Sequence, residues 1–134
     1  MRPARTACLD IGGTKLASAV VEAGGTIHGQ RVIATAAADG AEAVLDRAIA
    51  LLHEILAAER RAGGTPAALG ISTNGLTRPD GVDLAPSVPG WSRLRIPSRL
   101  QREFPDLPCA LVNDVKAGCD SKNACTHHAE CMAA

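Results

Sequence analysis

Apolar and polar residues alternate well enough over 15–22 to predict a half-buried strand, and residues 4–11, Ala-Arg-Thr-Ala-Cys-Leu-Asp-Ile, read as a strand before it. A third strand is predicted over 26–35, with Ile27, Val32 and Ile33 as its apolar members. Gly12-Gly13-Thr14 reads as a tight turn that uses glycine's freedom to take positive φ, and Gly24-Gly25 reads as a hairpin. From residue 40 to 61 the period changes. Val44, Leu45, Ala48, Ile49, Leu52, Ile55 and Leu56 recur at three- and four-residue steps, which predicts an amphipathic helix. Asp39 is placed to cap it, with Glu42 as capping-box partner; Arg60 and Arg61 suit its negative end, and Gly63-Gly64 ends it. Residues 67–73 are a near-continuous apolar run and predict a buried strand. Residues 74–93, rich in Gly, Pro, Asn and Asp, read as loop. A short helix is predicted over 97–104 with Pro97 near its start. A last buried strand covers 108–112, and a further helix should open at Asn113-Asp114.

The element order is βββαβαβα. Three antiparallel strands followed by strand–helix alternation imply an α/β fold with a mixed sheet, parallel in its later part. Ligands of open α/β sheets bind beyond the carboxyl ends of the strands. Three polar clusters fall at such ends: Asp10 to Lys15, Ser72 to Gly75, and Asn113-Asp114.

Composition narrows the partners. The chain has 134 residues, room for one domain, and 14 basic residues balance 14 acidic ones. No basic stripe exists, so nucleic acid and anionic membrane are not expected partners. No run approaches the roughly 20 apolar residues that cross a bilayer, and the basic start, Met1 to Thr6, has no apolar core behind it; a cytoplasmic protein is expected. Five cysteines, an odd number, favour free thiols, with Cys8 and Cys109 acting as small hydrophobes in strands. There are 25 alanines and 13 glycines against one Trp, one Phe and no Tyr, so the core must rest on close backbone packing and on Val, Leu and Ile.

Four segments could carry chemistry. Asp10-Ile-Gly-Gly-Thr14-Lys15 ends a strand in a carboxylate and follows it with a turn whose N–H groups can receive an anion; its plain alternative is an ordinary hairpin. Its spacing is not that of a Walker A loop. Ser72-Thr73-Asn74-Gly75 offers hydroxyl and amide groups to a polyol, or is simply turn-forming. Asn113-Asp114 supplies a carboxylate able to serve as a general base, or else a helix cap. The tail holds Cys119, Cys125, His127, His128 and Cys131, but without the close cysteine pair of common zinc sites, so no zinc site is expected. Trp91 reads as a pocket wall or a packing anchor.

Taken in order, Asp10-Ile-Gly-Gly-Thr-Lys15, Gly70-Ile-Ser-Thr-Asn-Gly75, Leu84-Ala-Pro-Ser-Val-Pro-Gly-Trp91 and Val112-Asn-Asp-Val-Lys-Ala117 resemble the amino-terminal half of ROK proteins (repressor, open reading frame, kinase). The resemblance covers roughly residues 5–118. It implies a ribonuclease-H-like, actin-type ATPase lobe over 1–118, with 119–134 a divergent, poorly ordered tail and the family's second lobe missing. It implies ATP-dependent phosphorylation of a hexose hydroxyl, as in glucokinases. Asp10, Gly12, Gly13, Thr14 and Lys15 would then sit at the ATP phosphates, with Asp10 at Mg²⁺, directly or through a water. Asn74, Gly75, Ser87 and Asn113 would line the sugar site, Ser87 standing where many relatives carry Asn. Asp114 would contact the sugar and take the proton of its attacking hydroxyl as catalytic base. Without a second lobe the chain is expected to be inactive alone and to self-associate through its exposed lobe face. The alternative expectations are a sugar-sensing or transcription-regulating relative, or a gene remnant without activity. With nine residues before Asp10, a DNA-binding module ahead of it is not expected.

Overall fold

The computed structural model describes residues 4–73, 76–78, 80–83 and 88–113. Its elements are β1 (Arg5–Ile11), β2 (Lys15–Glu22), β3 (Ile27–Ala34), α1 (Ala41–Arg61), β4 (Ala68–Thr73), β5 (Leu76–Arg78), β6 (Gly81–Asp83), α2 (Ile96–Glu103) and β7 (Cys109–Asn113). Five strands form one sheet in the order β3-β2-β1-β4-β7. β1 pairs antiparallel with β2, and β2 with β3, whereas β4 pairs parallel with both β1 and β7. The mixed sheet is as expected. Its parallel strands are joined by crossovers through α1 and α2, which place the carboxyl ends of β1, β4 and β7 along one edge.

Strand alternation divides the sheet's residues between two faces. Ala7, Leu9 and Ile11 of β1, Leu16 and Val20 of β2, and Leu69 and Ile71 of β4 are buried on one face. α1 covers that face with Val44, Leu45, Ala48, Ile49, Leu52 and Leu56, which join the same core as Ile96 and Leu100 of α2. Burying each large aliphatic side chain contributes about 1.5–3 kcal/mol. Thr6, Cys8 and Asp10 of β1 and Ser72 of β4 belong to the opposite face.

Several local expectations are corrected. Residues 74–93 are not all loop: β5 and β6 pair as an antiparallel hairpin, and Trp91–Arg93 form a 3-10 turn. The strands are only three residues long, too short for periodicity to reveal them against the turn formers around them. Trp91 is a packing anchor, 1% exposed within the core, although its indole N–H finds no partner among the described residues. Asp39 does not cap α1. It closes a 3-10 turn, Ala37–Asp39, and Gly40 intervenes at φ 94° as the residue before the helix, with no side-chain cap. The first helical N–H is met instead by the backbone: Ala41 N–H donates to the Pro89 carbonyl at 3.0 Å. The Asp39 carboxylate turns to Arg47, 2.9 Å away. At the other end Gly63, at φ 84°, ends the helix as expected, its N–H donating to Arg60 O. The helix expected after Asn113 and the tail from residue 119 lie outside the described residues.

Candidate functional site: a carboxylate and a glycine turn at the parallel edge

β1 runs out at the edge where β4 and β7 also end, and its last residues, Asp10 and Ile11, open the polar cluster Asp10 to Lys15. Asp10 is exposed, on the face away from α1. It is in register with Ser72 of β4, whose buried hydroxyl donates to Asp10 Oδ1 at 2.8 Å. Ser72, which the sequence offers either to a polyol or to a turn, thus uses its hydroxyl to orient the carboxylate. Asp10 Oδ2 makes no hydrogen bond or ion pair among the described residues. A shallow cavity of about 110 Å³ lies against Asp10 and Ser72, floored by Cys8 and Ala17. That is room for a few waters; small-molecule sites run to about 300–1,000 Å³. Any larger ligand must therefore extend past the sheet edge. Burial pushes the Cys8 thiol up to about 11, so it stays protonated and unreactive at neutral pH.

The turn after β1 is built differently from the expectation. Neither Gly12 nor Gly13 has a left-handed φ. Gly12 is needed for close approach: its N–H donates to the Lys15 carbonyl at 3.0 Å, and a Cβ there would lie 2.9 Å from the same oxygen. The turn is held from the side by Thr35, the first residue after β3. Thr35 N–H donates to Thr14 O at 2.9 Å and Thr35 Oγ1 to Gly12 O at 2.7 Å. In a planar trans peptide the C=O and N–H point opposite ways. With the Gly12 and Thr14 carbonyls aimed at Thr35, the N–H groups of Gly13 and Lys15 face away from it. The Gly13 N–H donates to no protein acceptor among the described residues. Thr14 and Lys15 are exposed beside it.

Thr35 is the residue that sequence reading missed. The signal lay in the hairpin register: Lys15 faces Ala34, so residue 14 faces residue 35. The bulge between Ser18 and Val20 hides it, because the tighter register at Val20↔His28 would bring Ala34 opposite Thr14.

The remaining predicted residues divide in two. Ile11, Thr73 and Asn113 are in register across β1, β4 and β7, so Asn113 lies two strand spacings, roughly 10 Å, from the end of β1. Asn74, Gly75, Ser87 and Asp114 lie outside the described residues, and of Asn113 only the backbone is described. No group of three or more His, Cys, Asp or Glu able to hold a metal occurs among the described residues. One carboxylate with a free oxygen suits Mg²⁺, which is commonly held by one or two carboxylates together with substrate phosphates. No helix among the described residues is long and apolar enough to cross a membrane.

A mixed sheet of this order, with a carboxylate and a glycine turn where β1 ends, defines the ribonuclease-H-like, actin-type ATPase lobe. The family is shown directly. The model of the ROK family matches residues 6–133, and the chain belongs to that family. The matched span runs on past Gly118, where the motif resemblance ends. The N-acetylmannosamine kinase of Escherichia coli is 33% identical over 115 residues, covering 84% of this chain and 36% of that protein. Among solved structures, the ROK hexokinase of Thermus thermophilus is 28% identical with a TM-score of 0.75, covering 89% of this chain and 38% of that one. The ROK glucokinase of Streptomyces griseus, solved with glucose and AMPPNP, is 27% identical with a TM-score of 0.71, covering 88% and 36%. The chain therefore spans about a third of the length of the curated relative it matches.

Proposed function

We propose that these residues form the phosphate-receiving lobe of an ATP-dependent sugar kinase that phosphorylates a hexose hydroxyl. The observation that carries this reading is the pairing of an exposed, Ser72-oriented carboxylate with a turn whose Gly13 N–H has no partner among the described residues and faces away from its clamp. Phosphoryl transfer asks for positioning and charge stabilisation rather than covalent chemistry. In this reading the turn from Gly12 to Lys15 lies against the phosphates with the Gly13 N–H donating to an oxygen, the Lys15 ammonium adds charge, and Asp10 holds Mg²⁺, directly or through a water. The metal, when bound, neutralises charge building on the phosphates. Asn74, Gly75, Ser87 and Asn113 bind the sugar. Asp114 accepts the proton as the sugar oxygen bonds to the transferred phosphorus and the bond to ADP breaks. Kinase relatives, two of them above 25% identity in solved structures, support the nucleotide and the sugar class.

Because the chain spans about a third of the curated relative, the first test is binding rather than turnover. Mg·AMPPNP titrated into the isotope-labelled chain should shift the amides of Gly13, Thr14 and Lys15, and Asp10→Asn should weaken the effect. A coupled assay with glucose and N-acetylmannosamine should give little or no turnover from the chain alone. Sugar binding with no response to nucleotide would turn the reading to a sensing or regulatory relative.

A further inference from the structure

We infer that Thr35 is a positioning residue for the turn: it sets the conformation in which the turn presents the Gly13 N–H. The inference deepens the phosphate reading of that turn and rests on it for its functional consequence. Thr35 is fully buried, so no water competes for its bonds. It makes two of them to the turn, one from its backbone and one from its side chain, to carbonyls two residues apart. Only the second depends on the identity of the residue. Without it the Gly12 carbonyl loses its tether, and the Gly12–Gly13 peptide is free to rotate and withdraw the Gly13 N–H.

The clamp is itself anchored. Arg47 of α1 donates through Nη1 to the Thr35 carbonyl and through Nη2 to Asp39 at 2.9 Å. Between these anchors the chain takes a costly path. Ala36 adopts φ 50° and ψ 56°, left-handed backbone that a residue with a Cβ rarely enters. Its carbonyl accepts from Asp39 N–H at 3.0 Å. The strained step directly follows the residue that grips the turn, and Arg47 of α1 holds the chain on either side of it, at Thr35 and Asp39. Thr35 thus ties the turn to the main helix rather than to the hairpin alone.

Thr35→Val keeps the shape, the β-branching and the backbone N–H, and removes only the hydroxyl. Thr35→Ser keeps the hydroxyl. One buried hydrogen bond left unmade costs an amount equivalent to about a tenfold change. In the 134-residue chain, hydrogen exchange at the Gly12 amide, bonded to Lys15, should therefore speed about tenfold in Thr35→Val. Exchange at Leu9 and Ile71, inside the sheet, should change much less. Mg·AMPPNP affinity should fall about tenfold in Thr35→Val and stay within about threefold of wild type in Thr35→Ser. Unchanged Gly12 exchange in Thr35→Val overturns the inference, whether or not binding changes, because any effect then bypasses the turn. Uniform acceleration across the sheet overturns it too, since Thr35 would then serve general stability. Faster Gly12 exchange in a series where even the wild-type chain does not bind AMPPNP leaves the clamp standing and sinks the phosphate reading. If Thr35→Val does not fold, Arg47→Met, which frees the Thr35 carbonyl, should speed Gly12 exchange two- to threefold, and no acceleration there is decisive against the inference.

Discussion

Gly12 and Gly24 sit in two successive connections of the same antiparallel run, and the structure predicts opposite outcomes for alanine at each. Neither has a left-handed φ, so neither substitution is barred by backbone conformation. At Gly24 a new Cβ meets nothing within 4 Å. Removing glycine's freedom from the unfolded chain should then stabilise by about 0.4–1 kcal/mol. At Gly12 the Cβ lies 2.9 Å from the Lys15 carbonyl oxygen, inside the 3.4 Å where ordinary contact begins. That oxygen is backbone, and it accepts the bond that closes the turn, so it cannot move aside without opening it. Overpacking of this kind costs about 1–3 kcal/mol, from which the entropic gain subtracts only part. Gly12→Ala should therefore destabilise by about 1–2 kcal/mol. With a urea slope of about 1–2 kcal/mol/M for a domain of this size, the two midpoints should separate by roughly 1 M or more. Urea denaturation followed by circular dichroism reads this directly. Equal midpoints, or a Gly12→Ala chain more stable than wild type, would refute the close-approach account of the turn.

Other consequences can be checked separately. Ala36→Gly should relieve left-handed strain and leave stability unchanged or raised by up to about 1 kcal/mol in the same urea assay, because glycine's own entropic cost offsets part of the gain. Leu52→Ala, at a fully buried position of α1, should cost about 2–5 kcal/mol by thermal or urea unfolding. Burial raises the Cys8 and Cys109 thiols to about 11, so between pH 9 and 11 the unfolded chain releases protons that the folded one keeps. Stability should be level below pH 9 and decline above it, by of the order of 1–2 kcal/mol per thiol, and Cys8→Ala should flatten the decline. Glu22 titrates below the usual carboxylate range, chiefly because of its hydrogen bond to His28 and then through Arg5, against the pull of desolvation. Its contribution is present above the ordinary carboxylate pKa and is lost as pH falls through the depressed one, so Glu22→Gln should weaken the acid dependence of unfolding.

What the sequence revealed and what it concealed follow from the range of the interactions involved. α1 and the strands of the main sheet were legible because one face of each is buried, and burial writes its period into neighbouring residues. Asp10 and Gly12 to Lys15 were legible as a cluster because they are consecutive. The β5–β6 hairpin was not, since three-residue strands carry no period. The cap of α1 was misread because a local candidate, Asp39, was preferred over the Pro89 carbonyl, about 50 positions away in the chain. The reason for Gly12 was misread in the same way: positive φ is a local property, whereas contact with Lys15 O depends on how the turn closes. Ser72 and Thr35 needed sheet register, one parallel and one displaced by a bulge, before their partners could be known.

These long-range partners decide what the edge can do chemically. A glycine turn alone is a common feature, and an exposed aspartate alone is weaker still as a sign of function. Here each is held by a buried hydroxyl from another strand or its end: Asp10 by Ser72 of β4, the turn by Thr35 beyond β3. Neither hydroxyl is needed to close the core, which the α1 face supplies. Both restrict polar groups that point toward solvent, and such restriction costs conformational entropy. On the proposed reading, an edge organised in this way would lower the reorganisation needed when an anion and a metal bind, the electrostatic contribution on which phosphoryl transfer depends most. The two supports can be separated by experiment. Ser72→Ala should weaken a Mg²⁺-dependent component of AMPPNP binding while leaving the metal-free component in place. Thr35→Val should weaken both. If Ser72→Ala instead lowers metal-free and metal-dependent binding equally, Asp10 is not the residue at the metal, and the division of labour along this edge is wrong.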